Sequence, residues 1–218
     1  MFAGLSLNAP KLWWYPWTID WRLRRSFRPP LTDALASLEW LLANVKELGI
    51  DPGRVAVCGD SAGGNLAAVI AQQARSQALP ICHQLLFYPL TDCRMDSESY
   101  TANGEGYLLT KDLSQWFMHQ YLPDESCASD PTASPLRQPD LRGVAPATIV
   151  TAGFDPLRDD GRAYAKALEA AGIPVVLREW GDQIHGFASM LGLLEGAAEA
   201  LDFGAKVLRE AFAPAQTD

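Results

Sequence analysis

Val55-Ala56-Val57-Cys58-Gly59-Asp60-Ser61-Ala62-Gly63-Gly64-Asn65 joins a short apolar run to the alanine-rich stretch Leu66 to Arg75. The apolar run has the length and β-branched content of a buried strand, and the alanine-rich stretch has the composition of a helix packed back onto it. Between them stands a G-x-S-x-G pattern, in the strand-to-turn-to-helix setting that gives such a pattern chemical meaning. A serine on so sharp a turn has strained dihedrals, and Gly59 and Gly63 are read as removing the clashes that side chains two before and two after it would cause. Its hydroxyl then projects from the end of the sheet, and the start of the helix aims the Ala62 N–H at any negative charge that develops there. The plainer reading of the segment is a glycine-rich turn whose serine caps a helix.

Outward from this junction, strand-like and helical stretches alternate, which predicts an α/β fold with a mostly parallel sheet and helices on both faces. Upstream, Thr32 or Asp33 is the expected cap of a helix with apolar positions Leu38, Leu41, Leu42, Val45 and Leu48, closed by Gly49. Downstream, strands are expected over 81–88, 147–153 and 175–180, and helices over about 159–171 and 189–212. Gly172 and Pro174 punctuate the first of those helices. The connection from Pro89 to Pro146 is far longer than an ordinary loop and carries its own helical stretch, Leu109 to Tyr121. It reads as a cap-like excursion, about 90–146, within one domain spanning 1–218. Trp116, Phe117 and Tyr121 either line an acyl pocket there or simply pack.

A serine hydroxyl is a weak nucleophile at neutral pH and needs a general base, which in turn needs a carboxylate to hold its tautomer. The chain has three histidines, His83, His119 and His185. His83 opens a buried strand and His119 lies in the excursion, whereas His185 follows the last strand, in Asp182-Gln183-Ile184-His185-Gly186-Phe187. For the carboxylate, Asp155 follows the strand 147–153, with Asp159 and Asp160 as rivals at the head of the next helix. Parallel strands share one carboxyl edge, so Ser61, Asp155 and His185 can converge there from distant parts of the chain.

With these residues in place the chain resembles the bacterial hormone-sensitive-lipase-like esterases, family IV of the α/β-hydrolase superfamily. Asp20-Trp21-Arg22-Leu23 is similar to that family's Asp-Tyr-Arg-Leu, and Gly-Asp-Ser-Ala-Gly-Gly-Asn, Asp-Pro-Leu-Arg-Asp and His-Gly-Phe are similar to its remaining signatures. The resemblance implies Ser61 as nucleophile, Asp155 as acid and His185 as base, a substrate cap in the excursion, and hydrolysis of carboxylic esters. The family's His-Gly-Gly-Gly stretch, whose N–H groups form most of its oxyanion hole, has no counterpart in this sequence, and Leu12-Trp13-Trp14-Tyr15-Pro16-Trp17 stands upstream instead. A short form lacking the first strands is the expectation, with Ala62 as remaining oxyanion donor. The alternative is a weakly active or inactive hydrolase-fold module that works through binding.

Composition narrows the rest. A net charge of -8 disfavours binding to a phosphate backbone, since the only dense basic run is Arg22 to Arg28. Cys58, Cys82, Cys93 and Cys127 form no CxxC pair and no metal-ligand spacing with the histidines, so no cofactor and no metal are implied. Reduced thiols and the lack of a signal-peptide pattern or long apolar run favour a cytoplasmic protein without a membrane span. The expected partner is a small-molecule ester; the sequence does not set the oligomeric state, though an exposed sheet edge makes a homodimer plausible.

Overall fold

The computed structural model describes residues 28–213. Helix α1 (Arg28–Ala43) and the single turn α2 (Val45–Leu48) lead into β1 (Ala56–Asp60), α3 (Ala62–Ser76) and β2 (His83–Phe87). The excursion follows with α4 (Ser99–Ala102) and α5 (Lys111–Tyr121), and then β3 (Ala147–Phe154), α6 (Arg158–Ala170), β4 (Val175–Ile184) and α7 (Glu195–Ala211). The four strands are parallel in the order β1-β2-β3-β4. Asp60 pairs with Phe87 and Phe87 with Val150, so the strands end together at one edge of the sheet.

Alternation along the strands feeds two apolar layers. Leu86 and Ile149 pack with Ala67, Ala68 and Ala71 of α3 and Tyr164, Ala165 and Leu168 of α6. Leu85, Phe87 and Val150 face the other way, onto Ala200 of α7, Trp180 and Phe187. Helices therefore cover both faces, as the sequence predicts. Small alanines on α3 let that helix lie close over the sheet, while α1 packs outside it through Leu31, Leu38, Val69 and Ile70.

Element ends differ from expectation for identifiable reasons. The first helix is already formed at Pro29-Pro30, whose fixed φ and missing N–H suit a first turn, so Thr32 and Asp33 lie inside it rather than capping it. Gly49 does close α2 in the left-handed conformation, at φ 65°. Strands β3 and β4 stay paired beyond 153 and 180, through a register shift between Ala152 and Phe154. Their backbones touch there: a β-carbon on Gly153 would lie 2.1 Å from the Gly181 carbonyl oxygen. The expected helix over 189–212 is broken into a 3-10 turn, Phe187–Ser189, and α7, with Gly192 at φ 80° between them.

The excursion is tied to the sheet domain by buried polar side chains. Asn65 donates to the carbonyls of Leu90 (2.9 Å) and Ala133 (2.7 Å), and Gln72 to that of Pro135 (2.9 Å). Leu90, Cys93, Tyr100, Leu122, Ala133 and Leu157 form its small core. The Leu12 to Trp17 segment and Asp20 to Leu23 lie outside the described residues.

Candidate active site

Ser61 stands between β1 and α3 at φ 53°, ψ -119°, a conformation that costs a residue with a side chain roughly 1–3 kcal/mol. The neighbouring chain over-determines it. The Ser61 N–H donates to the Phe87 carbonyl at 2.9 Å, and the Ser61 carbonyl accepts from the N–H groups of Asn65 (3.0 Å) and Leu90 (3.3 Å). Two glycines permit the crossing, and one is not the residue expected. A β-carbon on Gly59 would fall 2.2 Å from the Gly63 carbonyl oxygen, and one on Gly64 would fall 2.9 Å from the β-carbon of Pro89. A β-carbon on Gly63 would meet nothing nearer than Asp60 Oδ1 at 3.8 Å. The close approach is thus made by Gly59 and Gly64, and the Gly63 contribution is its carbonyl.

The Ser61 hydroxyl lies 2.9 Å from His185 Nε2, and His185 Nδ1 lies 2.8 Å from Asp155 Oδ2. Asp155 is fully buried, and its Oδ1 accepts from the Leu157 N–H at 2.8 Å. With Nδ1 protonated and donating to Asp155, Nε2 is left as an acceptor for the serine proton. Ser61, Asp155 and His185 follow β1, β3 and β4, so the shared carboxyl edge of the sheet brings them together. Ala62, the first residue of α3, is exposed, and a helix's first N–H has no intrahelical partner.

The other candidates are elsewhere. His83 is buried with Nε2 3.0 Å from Thr148 Oγ1, and burial lowers its pKa, which fits a neutral structural imidazole. His119 lines a cavity of about 530 Å³ with Cys93, Met95, Met118, Leu122 and Glu125, and Ser61, Asp155 and His185 are not in its lining. Asp159 and Asp160 lie in the first turn of α6 and bond to neither Ser61 nor His185. Asp159 pairs with Arg158 and Arg162 and accepts from the Ser99 N–H, while Asp160 accepts from the N–H groups of Thr91 and Asp92. Burial pushes the thiols of Cys58 and Cys93 up to about 12 and raises that of Cys82. Among the described residues, no group of three or more His, Cys, Asp or Glu could hold a metal, and no helix is long and apolar enough to cross a membrane.

Several site neighbours were not visible in the sequence. Tyr88, fully buried at φ 36°, meets the His185 imidazole edge to face, with ring centroids 4.9 Å apart. Leu108 from the excursion comes to 4.0 Å from where a β-carbon of Gly186 would stand, beside His185. Tyr107 stacks on the half-exposed Phe154 next to Asp155, with ring centroids 5.1 Å apart. Trp116 and Phe117 meet each other but remain 56% and 44% exposed, so neither packs into the core as the plainer reading held; Tyr121 does pack, against the excursion core.

A family model described as alpha/beta hydrolase fold matches residues 23–189. The chain belongs to the α/β-hydrolase fold family. This hydrolase-fold chain is 47% identical over 191 residues to the carboxylic ester hydrolase LipN of Mycobacterium tuberculosis, covering 83% of the chain and 50% of LipN. It is 40% identical over 200 residues to the carboxylesterase NlhH of the same organism, covering 89% and 63%. Among solved structures, EstE1, a thermostable carboxylesterase cloned from a metagenomic library, superposes with a TM-score of 0.81 at 40% identity, over 84% of this chain and 64% of its own. The likeness to hormone-sensitive-lipase-like esterases read from the motifs therefore holds. The chain spans from half to just under two thirds of the length of these relatives.

Proposed function

We propose that the protein is a serine carboxylesterase acting on esters of short to medium acyl chains. The observation that carries this reading is the continuous relay from Ser61 Oγ to His185 Nε2 at 2.9 Å and from His185 Nδ1 to the buried Asp155 at 2.8 Å, on a serine held in a strained turn. The names of LipN, NlhH and EstE1 support the same substrate class.

In this mechanism Ser61 attacks the ester carbonyl carbon while His185 Nε2 takes the hydroxyl proton, and the Asp155 carboxylate stabilises the imidazolium that forms. Negative charge on the former carbonyl oxygen rests on the Ala62 N–H and the positive end of α3. His185 then gives its proton to the departing alkoxide, leaving an acyl group on Ser61. Water repeats the sequence: His185 accepts its proton, hydroxide adds to the acyl carbon, and Ser61 leaves with the proton returned. The chain's own groups complete each step, and no cofactor enters.

Hydrolysis of chromogenic esters of two to eight acyl carbons by the purified chain, beside its Ser61→Ala variant, tests the proposal. Serine-dependent turnover that falls for long chains is the expected result, together with stoichiometric labelling of Ser61 by an alkyl phosphonate. Equal turnover by Ser61→Ala sinks it.

A further inference from the structure

We infer that Asn103, at the end of α4 in the excursion, is a positioning residue for the Asp155 carboxylate. Its side chain is 5% exposed, and Nδ2 donates to two carbonyls at once, those of Gly153 and Asp155, each at 3.1 Å. These carbonyls bracket Phe154, so one amide fixes the chain direction on both sides of the step into Asp155. With that step held, Asp155 can turn Oδ1 to the Leu157 N–H and Oδ2 to His185.

The donor is itself held. Ser99, one turn earlier, donates its hydroxyl to the Pro156 carbonyl at 2.5 Å and its N–H to Asp159 Oδ2 at 3.0 Å, and its carbonyl accepts the Asn103 N–H at 2.9 Å. On the other side, a β-carbon on Gly104 would fall 2.3 Å from the Tyr100 carbonyl oxygen, so the chain leaves Asn103 by a path open only to glycine. The segment from Ser99 to Gly104 thus clamps the loop from Gly153 to Asp159, and the excursion that borders the site also sets its acid. The consequence for turnover rests on the esterase proposal; the consequence for His185 does not.

The test compares the full chain with Asn103→Leu, which keeps the number and branching of side-chain heavy atoms and removes the donor, and with Gln72→Leu, which removes a buried amide that braces the excursion at Pro135 and α6 at Tyr164. The tautomer of His185, read from its imidazole ¹⁵N shifts while the ring is neutral, needs no turnover. The parent and Gln72→Leu are expected to hold a single Nδ1–H form, and Asn103→Leu a mixture. In turnover, Asn103→Leu is expected to lose roughly ten- to a hundredfold in kcat with KM within about twofold, the scale of a misplacement near 1 Å, while Gln72→Leu lowers Tm and keeps kcat. A single Nδ1–H form with unchanged kcat in Asn103→Leu overturns the inference, as does a mixture of tautomers in the parent. Turnover persisting in Ser61→Ala defeats the esterase proposal instead, and leaves the tautomer comparison to decide the role of Asn103.

Discussion

Gly59 and Gly63 meet across the serine turn, with the site of a Gly59 β-carbon 2.2 Å from the Gly63 carbonyl oxygen and 2.3 Å from its carbon. Both partners at that contact are backbone, so no rotamer change relieves it.

The two glycines should therefore behave oppositely. Gly59→Ala is expected to cost about 3 kcal/mol or more, the upper range for overpacking, and to open the turn that strains Ser61. Gly63→Ala adds a methyl at ordinary contact distance, 3.8 Å from Asp60 Oδ1, within α3, where alanine is the better helix former by roughly 0.5–1 kcal/mol. Thermal melts of both variants check this; a loss for Gly63→Ala equal to that for Gly59→Ala contradicts the assignment of the close contact.

Asp155→Asn should fail through its hydrogen-bond polarity. The Leu157 N–H requires an acceptor at the Oδ1 position, which directs the new amide NH₂ toward His185 Nδ1. Nδ1 must then accept, Nε2 carries the proton, and the ring can no longer receive one from Ser61. The expected loss is about 10⁴ in kcat with little change in Tm, the pattern known for a triad with the wrong tautomer. Loss of stability in proportion to loss of rate points instead to a structural role for the carboxylate.

The sequence discloses those parts of this arrangement that depend on neighbours in the chain. Ser61, Asp155 and His185 stand out because each follows a strand-like run in a short motif, and parallel pairing alone predicts that they share an edge. The strands run past the ends that the sequence suggests where Gly153 and Gly181 let two backbones touch, since a glycine in isolation reads as a terminator. Asn103 carried no signal, because its partners lie 50 and 52 residues away and Asn-Gly reads as an ordinary turn. The burial of Asp160 is equally silent in the sequence, because its N–H donors lie 68 and 69 residues upstream.

Two of the four thiols, Cys58 and Cys93, should be quiet in the folded chain. Burial pushes Cys58 and Cys93 up to about 12, and Cys93 also donates to the Ala133 carbonyl at 3.2 Å. A thiol reagent at pH 8 meets almost no thiolate at either position, so these two are expected to label only in denaturant. Peptide mapping after native alkylation checks this, and stoichiometric native modification of Cys93 counts against its packing.

Asp160 should make stability depend on pH in a sense opposite to most carboxylates. Its Oδ2 accepts from the N–H groups of Thr91 and Asp92, both at 3.2 Å, and Ser97 Oγ stands 3.4 Å from Oδ1. The nearby Asp92 is engaged by Arg137 and Arg94, and among the described residues no salt bridge to Asp160 compensates. Burial, opposed by those N–H bonds and aided by the charge of Asp92, pushes its carboxyl up to about 8. In the unfolded chain the same group titrates at about 4, so between roughly pH 4 and 8 the folded state keeps a proton that the unfolded state has released. Its contribution is fully present below that window and declines as pH rises, by at most about 1.4 kcal/mol per pH unit. Asp160→Asn keeps the shape and an acceptor for the two N–H groups but does not titrate. Denaturant melts at pH 5 and pH 8 should therefore show the variant gaining on the parent as pH rises. A difference between variant and parent that stays constant over this range means that Asp160 is ionised in the fold, with its two N–H donors outweighing burial.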